Sequence, residues 1–116
     1  MRHFCLFSIL AIAFGVILTN RAMTGEASPG GARSAAELYT KHCASCHGKD
    51  GRAKTLKGKF NHARDLTDPV WQERASDERL FNTIMKGKEK MPGFSKKLSE
   101  QEINSLVSYI RGLKKQ

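Results

Sequence analysis

The chain has 116 residues, and its 20 basic and 11 acidic residues give a net charge of +9. This length allows one small domain rather than several. A basic charge would suit a nucleic-acid-binding protein, but the sequence contains no recognition motif for nucleic acid, so we expect a different kind of partner.

Residues 1–27 have the pattern of an export signal. Arg2 and His3 give a basic start, and the uncharged apolar run Phe4–Leu18 is shorter than the roughly 20 residues that a membrane-spanning helix needs. Cleavage after Ala27 would leave a mature chain of 89 residues with a charge of +8. We therefore expect an exported, periplasmic protein. The alternative is an uncleaved N-terminal segment that tethers the protein to the membrane.

A helix is predicted next, after a flexible lead over residues 28–33. Ser34 and Glu37 form the S-x-x-E pattern of a capping box, which marks the start of a helix. This helix leads into the two downstream cysteines, and Gly48 ends it. The folded domain is expected to cover residues 34–116.

Residues 43–47 read Cys-Ala-Ser-Cys-His, the C-x-x-C-H motif of covalent haem attachment. The spacing lets one short turn present both sulfurs to the two vinyl groups of a porphyrin, and His47 then lies beneath the iron as an axial ligand. Cys5 belongs to the export segment. Haem attachment would thus use both remaining cysteines, Cys43 and Cys46, and leave no free thiol in an oxidising compartment.

Two other kinds of site also use cysteine pairs. A thioredoxin-like dithiol follows a strand in a βαβ pattern, and nothing before Cys43 resembles a strand. A structural zinc site needs about four ligands, and recruiting His42 or His62 would still not supply the usual second pair. Haem is favoured, because a buried porphyrin would also supply the apolar centre that so short a chain lacks.

The remaining elements follow in order. The basic stretch 49–64 has little periodicity and predicts a loop around one side of the haem. Pro69 suits the first turn of a short helix that contains Trp71. Ser76 is a good N-cap for a third helix, which Gly87 ends.

A second capping box, formed by Ser99 and Glu102, opens the last helix. Five apolar residues at helical spacing form one stripe on it: Ile103, Leu106, Val107, Ile110 and Leu113. With no strand pattern anywhere, the sequence predicts an all-α fold of three to four helices and loops wrapped around one haem.

The iron bound by His47 has a sixth position, for which the chain offers four candidates: Met85, Met91, His42 and His62. Met91 is favoured because it lies in the loop 88–97 and is followed by Pro92. Proline fixes φ, so the loop can hold a thioether sulfur toward the iron at lower conformational cost.

The other candidates have plainer roles. Met85 lies on the apolar face of a helix, where methionine more often fills the core. His42 adjoins Cys43, so the attachment turn would hold it on the proximal side. His62 would give a bis-histidine site, and an open or water-bound position is the last alternative.

Residues 34–113 resemble the class I c-type cytochromes. The resemblance is carried by four segments in order: C-A-S-C-H-G, S-D-E-R-L-F-N-T-I-M-K-G, K-M-P-G-F and V-S-Y-I. It implies a small cytochrome c fold with one haem c, whose iron cycles between Fe(II) and Fe(III). It also implies an orthogonal packing of the first and last helices, in which Leu38 and Tyr39 meet Leu106 and Ile110.

The same resemblance implies that Cys43 and Cys46 are the thioether anchors, His47 the proximal ligand and Met91 the distal ligand. One departure concerns the Gly-Pro that many members carry after the motif, whose proline carbonyl accepts a hydrogen bond from the proximal histidine. Residues 57–61 contain no proline. A carbonyl near Phe60 or Asn61 is one candidate to replace it, and the sequence leaves the hydrogen-bond partner of His47 unassigned.

Trp71 has two possible roles. Its indole N–H would donate to a haem propionate, or its ring would only pack on the porphyrin edge.

Two filled axial positions predict a one-electron carrier in an exported or membrane-associated electron-transport chain. We expect a monomer with no enzymatic activity and no small-molecule substrate. Two basic clusters would border the haem edge and steer an acidic redox protein or membrane complex. They are Lys49, Arg52, Lys54, Lys57 and Lys59, and Lys86, Lys88, Lys90, Lys96 and Lys97.

Two alternatives belong to other functional classes. One is a haem subunit docked permanently on a larger oxidoreductase. The other is a haem sensor or small peroxidase, which would require a displaceable Met91.

Overall fold

The fold is known from a computed structural model that describes residues 33–115, and these residues form six helices and no β-strand. The helices are α1 (Ala35–His42), α2 (Ala44–His47), α3 (Leu56–Phe60), α4 (Pro69–Arg74), α5 (Asp77–Lys86) and α6 (Glu100–Gly112). The all-α prediction is confirmed. The proposed export segment, its cleavage site and most of the predicted lead lie outside the described residues.

Both predicted capping boxes are formed. At the start of α1 the Ser34 hydroxyl accepts from the Glu37 amide at 3.2 Å, and the Glu37 carboxylate accepts from the Ser34 amide at 2.9 Å. Ser99 and Glu102 repeat this exchange at the start of α6. Each box satisfies two backbone N–H groups that the helix itself leaves without a partner, which is why both helices begin where the sequence predicts.

The starts of α4 and α5 also follow from local sequence. Pro69 is the first residue of α4, and the Asp68 carboxylate accepts from two backbone amides of its first turn. Ser76 caps α5, whose first turn carries Asp77. Gly87 ends α5 with a φ of 79°, a conformation that glycine adopts without strain.

The hydrophobic core lies between α1 and α6, which pack against each other. Leu38, Tyr39, Ile103 and Leu106 are the largest side chains that are fully enclosed, and Ile110 is buried beside them. The contact between the first and last helices that the resemblance implies is therefore present.

A polar link joins α4 to the end of α6. The buried Gln72 amide donates to the carbonyl oxygens of Leu66 and Ile110 at 2.8 and 2.7 Å. Arg111 donates to the Gln72 side chain and pairs with Asp77 at 2.7 Å. These bonds fix α4, and with it Trp71, relative to the core.

The described residues form six helices, two more than the upper predicted number of four. The predicted first helix breaks at Cys43, so the motif lies on the separate one-turn helix α2. The predicted loop 49–64 contains α3, whose N-cap is Thr55. Helices of four and five residues are too short to give a periodic pattern, so their sequence does not reveal them. No helix in the described part of the chain is long and apolar enough to span a membrane.

Candidate functional site

The four predicted haem-site residues line one cavity. Cys43, Cys46, His47 and Met91 all border a space of about 280 Å³. Its other walls come from α4, α5, the loop after α3 and the loop after α5, including Trp71, Ala75, Leu80, Thr83, Pro92 and Phe94. Residues separated by more than 40 positions in the sequence thus meet at one site.

The attachment turn, residues 43–47, is held by backbone bonds. The amides of Cys46 and His47 both donate to the Cys43 carbonyl, at 3.1 and 2.9 Å. Neither cysteine is in a disulfide. Burial, reinforced by the neighbouring Cys46, raises the pKa of the Cys43 thiol to about 11, so this thiol is protonated at neutral pH before it reacts.

The imidazole of His47 is oriented by a backbone carbonyl. Its Nδ1 lies 2.9 Å from the carbonyl oxygen of Arg64. A carbonyl can only accept, so Nδ1 carries the proton and Nε2 keeps a lone pair for a metal ion. Burial lowers the pKa of His47, against the raising effect of the Arg64 bond, and favours the neutral form that binds iron.

This bond supplies the partner that the sequence left unassigned. A carbonyl near Phe60 or Asn61 was one candidate to replace the missing proline carbonyl, and neither of these residues accepts the bond. The acceptor is Arg64, which follows a backbone reversal where His62 adopts a φ of 55°. Every residue has a carbonyl, so no side-chain pattern could have identified this one.

Helix α3 packs tightly on the attachment turn. A Cβ placed on Gly58 would lie 2.1 Å from the Cys46 carbonyl oxygen, so only glycine fits. The Thr55 hydroxyl lies 2.9 and 3.0 Å from the carbonyl oxygens of Ser45 and Cys46 and accepts from the Gly58 amide at 2.9 Å. Sequence reasoning missed both residues, because their role depends on contacts nine to twelve positions away.

Met91 is presented by a short segment that folds back on α5. Lys88 and Met91 exchange two backbone hydrogen bonds of 3.0 and 2.9 Å. The amide of Phe94 then donates to the Ile84 carbonyl at 3.0 Å. A Cβ on Gly87 would lie 2.5 Å from the Met91 carbonyl oxygen, so the tight return of the chain requires glycine there.

The remaining candidates for the sixth position are placed differently. Met85 packs against the hydrophobic core and is not among the described residues that line the cavity. His62 borders the cavity but is exposed. His42 also borders it, and its ring meets Phe94 edge-on with centroids 5.5 Å apart. Its buried Nε2 has no hydrogen-bond partner in the described part of the protein.

These residues fit a haem. Two thiols one turn apart, a neutral imidazole with a free Nε2 and a thioether border the same space, and apolar side chains close it. Trp71 lines the cavity half-buried, a position compatible with both of its predicted roles. The chemistry of this donor set suits a covalently attached haem c.

Known proteins agree with this interpretation. Residues 30–110 match the family described as "Cytochrome C oxidase, cbb3-type, subunit III". The FixP subunit of the cbb3-type cytochrome c oxidase of Azorhizobium caulinodans is 30% identical over 116 residues, covering 88% of this chain. The chain spans only 38% of that subunit's length.

Two other similar proteins match over most or all of their own length. A cytochrome c6 of Rippkaea orientalis is 29% identical over 94% of this chain and 90% of its own. The solved structure of the KustC0563 c-type cytochrome is 39% identical in sequence and has a TM-score of 0.67. The match includes 72% of this chain and 100% of that one. The one C-x-x-C-H motif indicates one covalently attached haem c. The chain is therefore a class I c-type cytochrome, a member of the family described as cbb3-type cytochrome c oxidase subunit III.

Proposed function

We propose that this cytochrome is a one-electron carrier in which Cys43 and Cys46 attach the haem and His47 and Met91 bind its iron. The observation that carries the proposal is the meeting of all four side chains at one cavity. Bound haem supplies the Fe(II)/Fe(III) couple, and the protein's own residues determine its potential and its access to solvent.

The proximal role of His47 is supported by its bond to Arg64. A neutral histidine that donates from Nδ1 to a carbonyl has a fixed ring plane and a more basic Nε2. The distal role of Met91 is supported by its position at the cavity, whereas Met85 packs into the core. His62 is a weaker candidate, because it lies two residues before Arg64 in the segment bonded to His47.

Two protein ligands on the iron leave no position for a substrate, which favours electron transfer over catalysis. A thioether opposite an imidazole in an apolar cavity also stabilises ferrous iron and raises the potential. Phe94, buried behind the Met91 loop, adds to the apolar wall. Transfer would then proceed through the haem edge without a bond being made or broken.

The exposed basic residues support a docking role. We call the two predicted clusters together the lysine surface, and every one of their ten side chains is exposed. Lys88 and Lys90 border the cavity itself. Such a surface would attract an acidic face of a redox protein or membrane complex, and the association rate would fall as salt rises.

A permanently docked haem subunit is the second candidate, favoured by the family match and by FixP. The cytochrome c6 relative, which this chain matches over nearly its full length, favours a free carrier. Retention on a larger complex at high salt would distinguish the docked subunit from the free carrier. The proposed location is periplasmic, with the segment 1–27 acting as an export signal or as a membrane tether.

The ligand assignment is tested by replacing one sulfur at a time. Met91→Leu keeps side-chain volume but removes the thioether, and we expect retained covalent haem and a potential lower by on the order of 0.1 V. Met85→Leu is the matched control and should leave the potential unchanged. Redox titration followed by optical spectroscopy measures both. An unchanged potential and spectrum in Met91→Leu would refute the assignment.

A further inference from the structure

Lys90 links the loop that carries Met91 to helix α3. Its ammonium donates to the carbonyl oxygen of Phe60 at 3.2 Å and lies 5.0 Å from the centroid of the Phe60 ring. One side chain thus makes a hydrogen bond and a cation–π contact with the same residue, 30 positions away. Lys90 directly precedes Met91 in the sequence.

Within the described residues, the other hydrogen bonds of the loop that carries Met91 do not reach α3. The Met91 segment, residues 87–95, bonds to itself through Lys88 and to α5 through the amides of Phe94 and Ser95. Among the hydrogen bonds within residues 33–115, that of Lys90 is the one that crosses from this segment to the stretch 49–64. Without it, the hydrogen bonds from this segment to other helices would lead only to α5.

The partner of Lys90 is firmly placed. Phe60 ends α3, and the close contact of Gly58 with the Cys46 carbonyl fixes that helix on the attachment turn. The Phe60 ring itself is 77% exposed, so packing in the core does not explain its position. Its contact with the Lys90 ammonium gives the exposed ring a role.

We infer that Lys90 is a positioning residue that fastens the Met91 segment to α3 across the cavity and so slows the departure of Met91 from the iron. The inference depends on the proposed ligand role of Met91. Loss of the Lys90 bond would let the segment swing away from α3 about the end of α5, and the iron would become accessible more often.

The test is the rate at which carbon monoxide binds to the ferrous holoprotein. At saturating carbon monoxide this rate is limited by the dissociation of Met91. We expect Lys90→Ala to raise the limiting rate about fivefold and Phe60→Leu, which removes the ring but keeps the carbonyl, about twofold. Lys96→Ala is the matched control, because it removes an equal charge from an exposed position just after the segment and outside the cavity lining, and its rate should match that of the unaltered protein.

The double variant sharpens the test. Once Lys90 is absent, Phe60→Leu should add nothing, since the ring has lost its ammonium partner. Equal rates in Lys90→Ala and Lys96→Ala, or fully additive effects in the double variant, would overturn the inference. If Met91→Leu leaves carbon monoxide binding unchanged, the ligand assignment fails as well. If Met91→Leu accelerates binding and Lys90→Ala does not, only the positioning role fails.

Discussion

The His47 side and the Met91 side of the cavity are held in different ways. On the His47 side, contacts converge from several elements: the Arg64 carbonyl, the Thr55 hydroxyl, and the Tyr39 hydroxyl, which donates to the Gly48 carbonyl at 2.8 Å. On the Met91 side, the segment is held by local backbone bonds to α5 and by the Lys90 side chain.

The difference indicates which side moves. Several hydrogen bonds must break at the same time for the His47 side to open, whereas the Met91 side can open by local motion at one end of α5. A carrier that keeps its haem permanently attached needs the first property. The second would leave the proposed distal ligand, Met91, adjustable by single residues such as Lys90.

The largest effect should come from removing both thioether anchors. For Cys43→Ser combined with Cys46→Ser we expect no covalent haem and a largely unfolded chain, because a domain of this size has little core of its own. Haem staining after denaturing electrophoresis and far-ultraviolet circular dichroism measure the two effects. A soluble, helical protein without haem would show that the His47 side folds independently of its cofactor.

Crowding α3 against the attachment turn should have the next largest effect. Gly58→Ala places a methyl group 2.1 Å from the Cys46 carbonyl oxygen, and we expect a loss of roughly 3 kcal/mol in the free energy of unfolding. Gly112→Ala is the control, since nothing lies within 4 Å of its added carbon, and it should be neutral or slightly stabilising. Denaturant titration compares them. Equal stabilities of Gly58→Ala and Gly112→Ala would mean that α3 can move away from the attachment turn at little cost.

A smaller effect is expected from Thr55→Val. The substitution keeps the shape of the side chain but removes a hydroxyl that bonds to the attachment turn and caps α3. We therefore expect the free energy of unfolding to fall by about 2 kcal/mol. Thr40→Val, at an exposed position on α1, is the control. Denaturant titration measures the loss, and Thr40→Val should show none. Equal losses in the two variants would contradict the role given to the Thr55 hydroxyl.

Local signals in the sequence predicted most of the helix starts. Ser34, Pro69, Ser76 and Ser99 all act through bonds or backbone angles within a few residues, so their sequence neighbours suffice to reveal them. The C-x-x-C-H motif likewise acts within a single turn. The four helix starts and the haem c that this motif predicts are confirmed, whereas the thioether roles of Cys43 and Cys46 stay predictions.

Features that depend on distant contacts escaped prediction. Helix α3 is packed against the attachment turn, the carbonyl that orients His47 belongs to Arg64, and Lys90 reaches Phe60 across 30 residues. None of these carries a periodic or motif signal, because a backbone carbonyl is the same at every position. The iron-ligand roles of His47 and Met91 stay predictions that the cavity geometry supports.

If Met91 binds the iron opposite His47, proton nuclear magnetic resonance of the ferrous holoprotein will reveal it. Protons held over a porphyrin ring are strongly shielded, so we expect one methionine side chain with resonances far upfield. These resonances should persist in Met85→Leu and vanish in Met91→Leu. Upfield methionine resonances that survive in Met91→Leu, or that are absent from the unaltered protein, would contradict the claim.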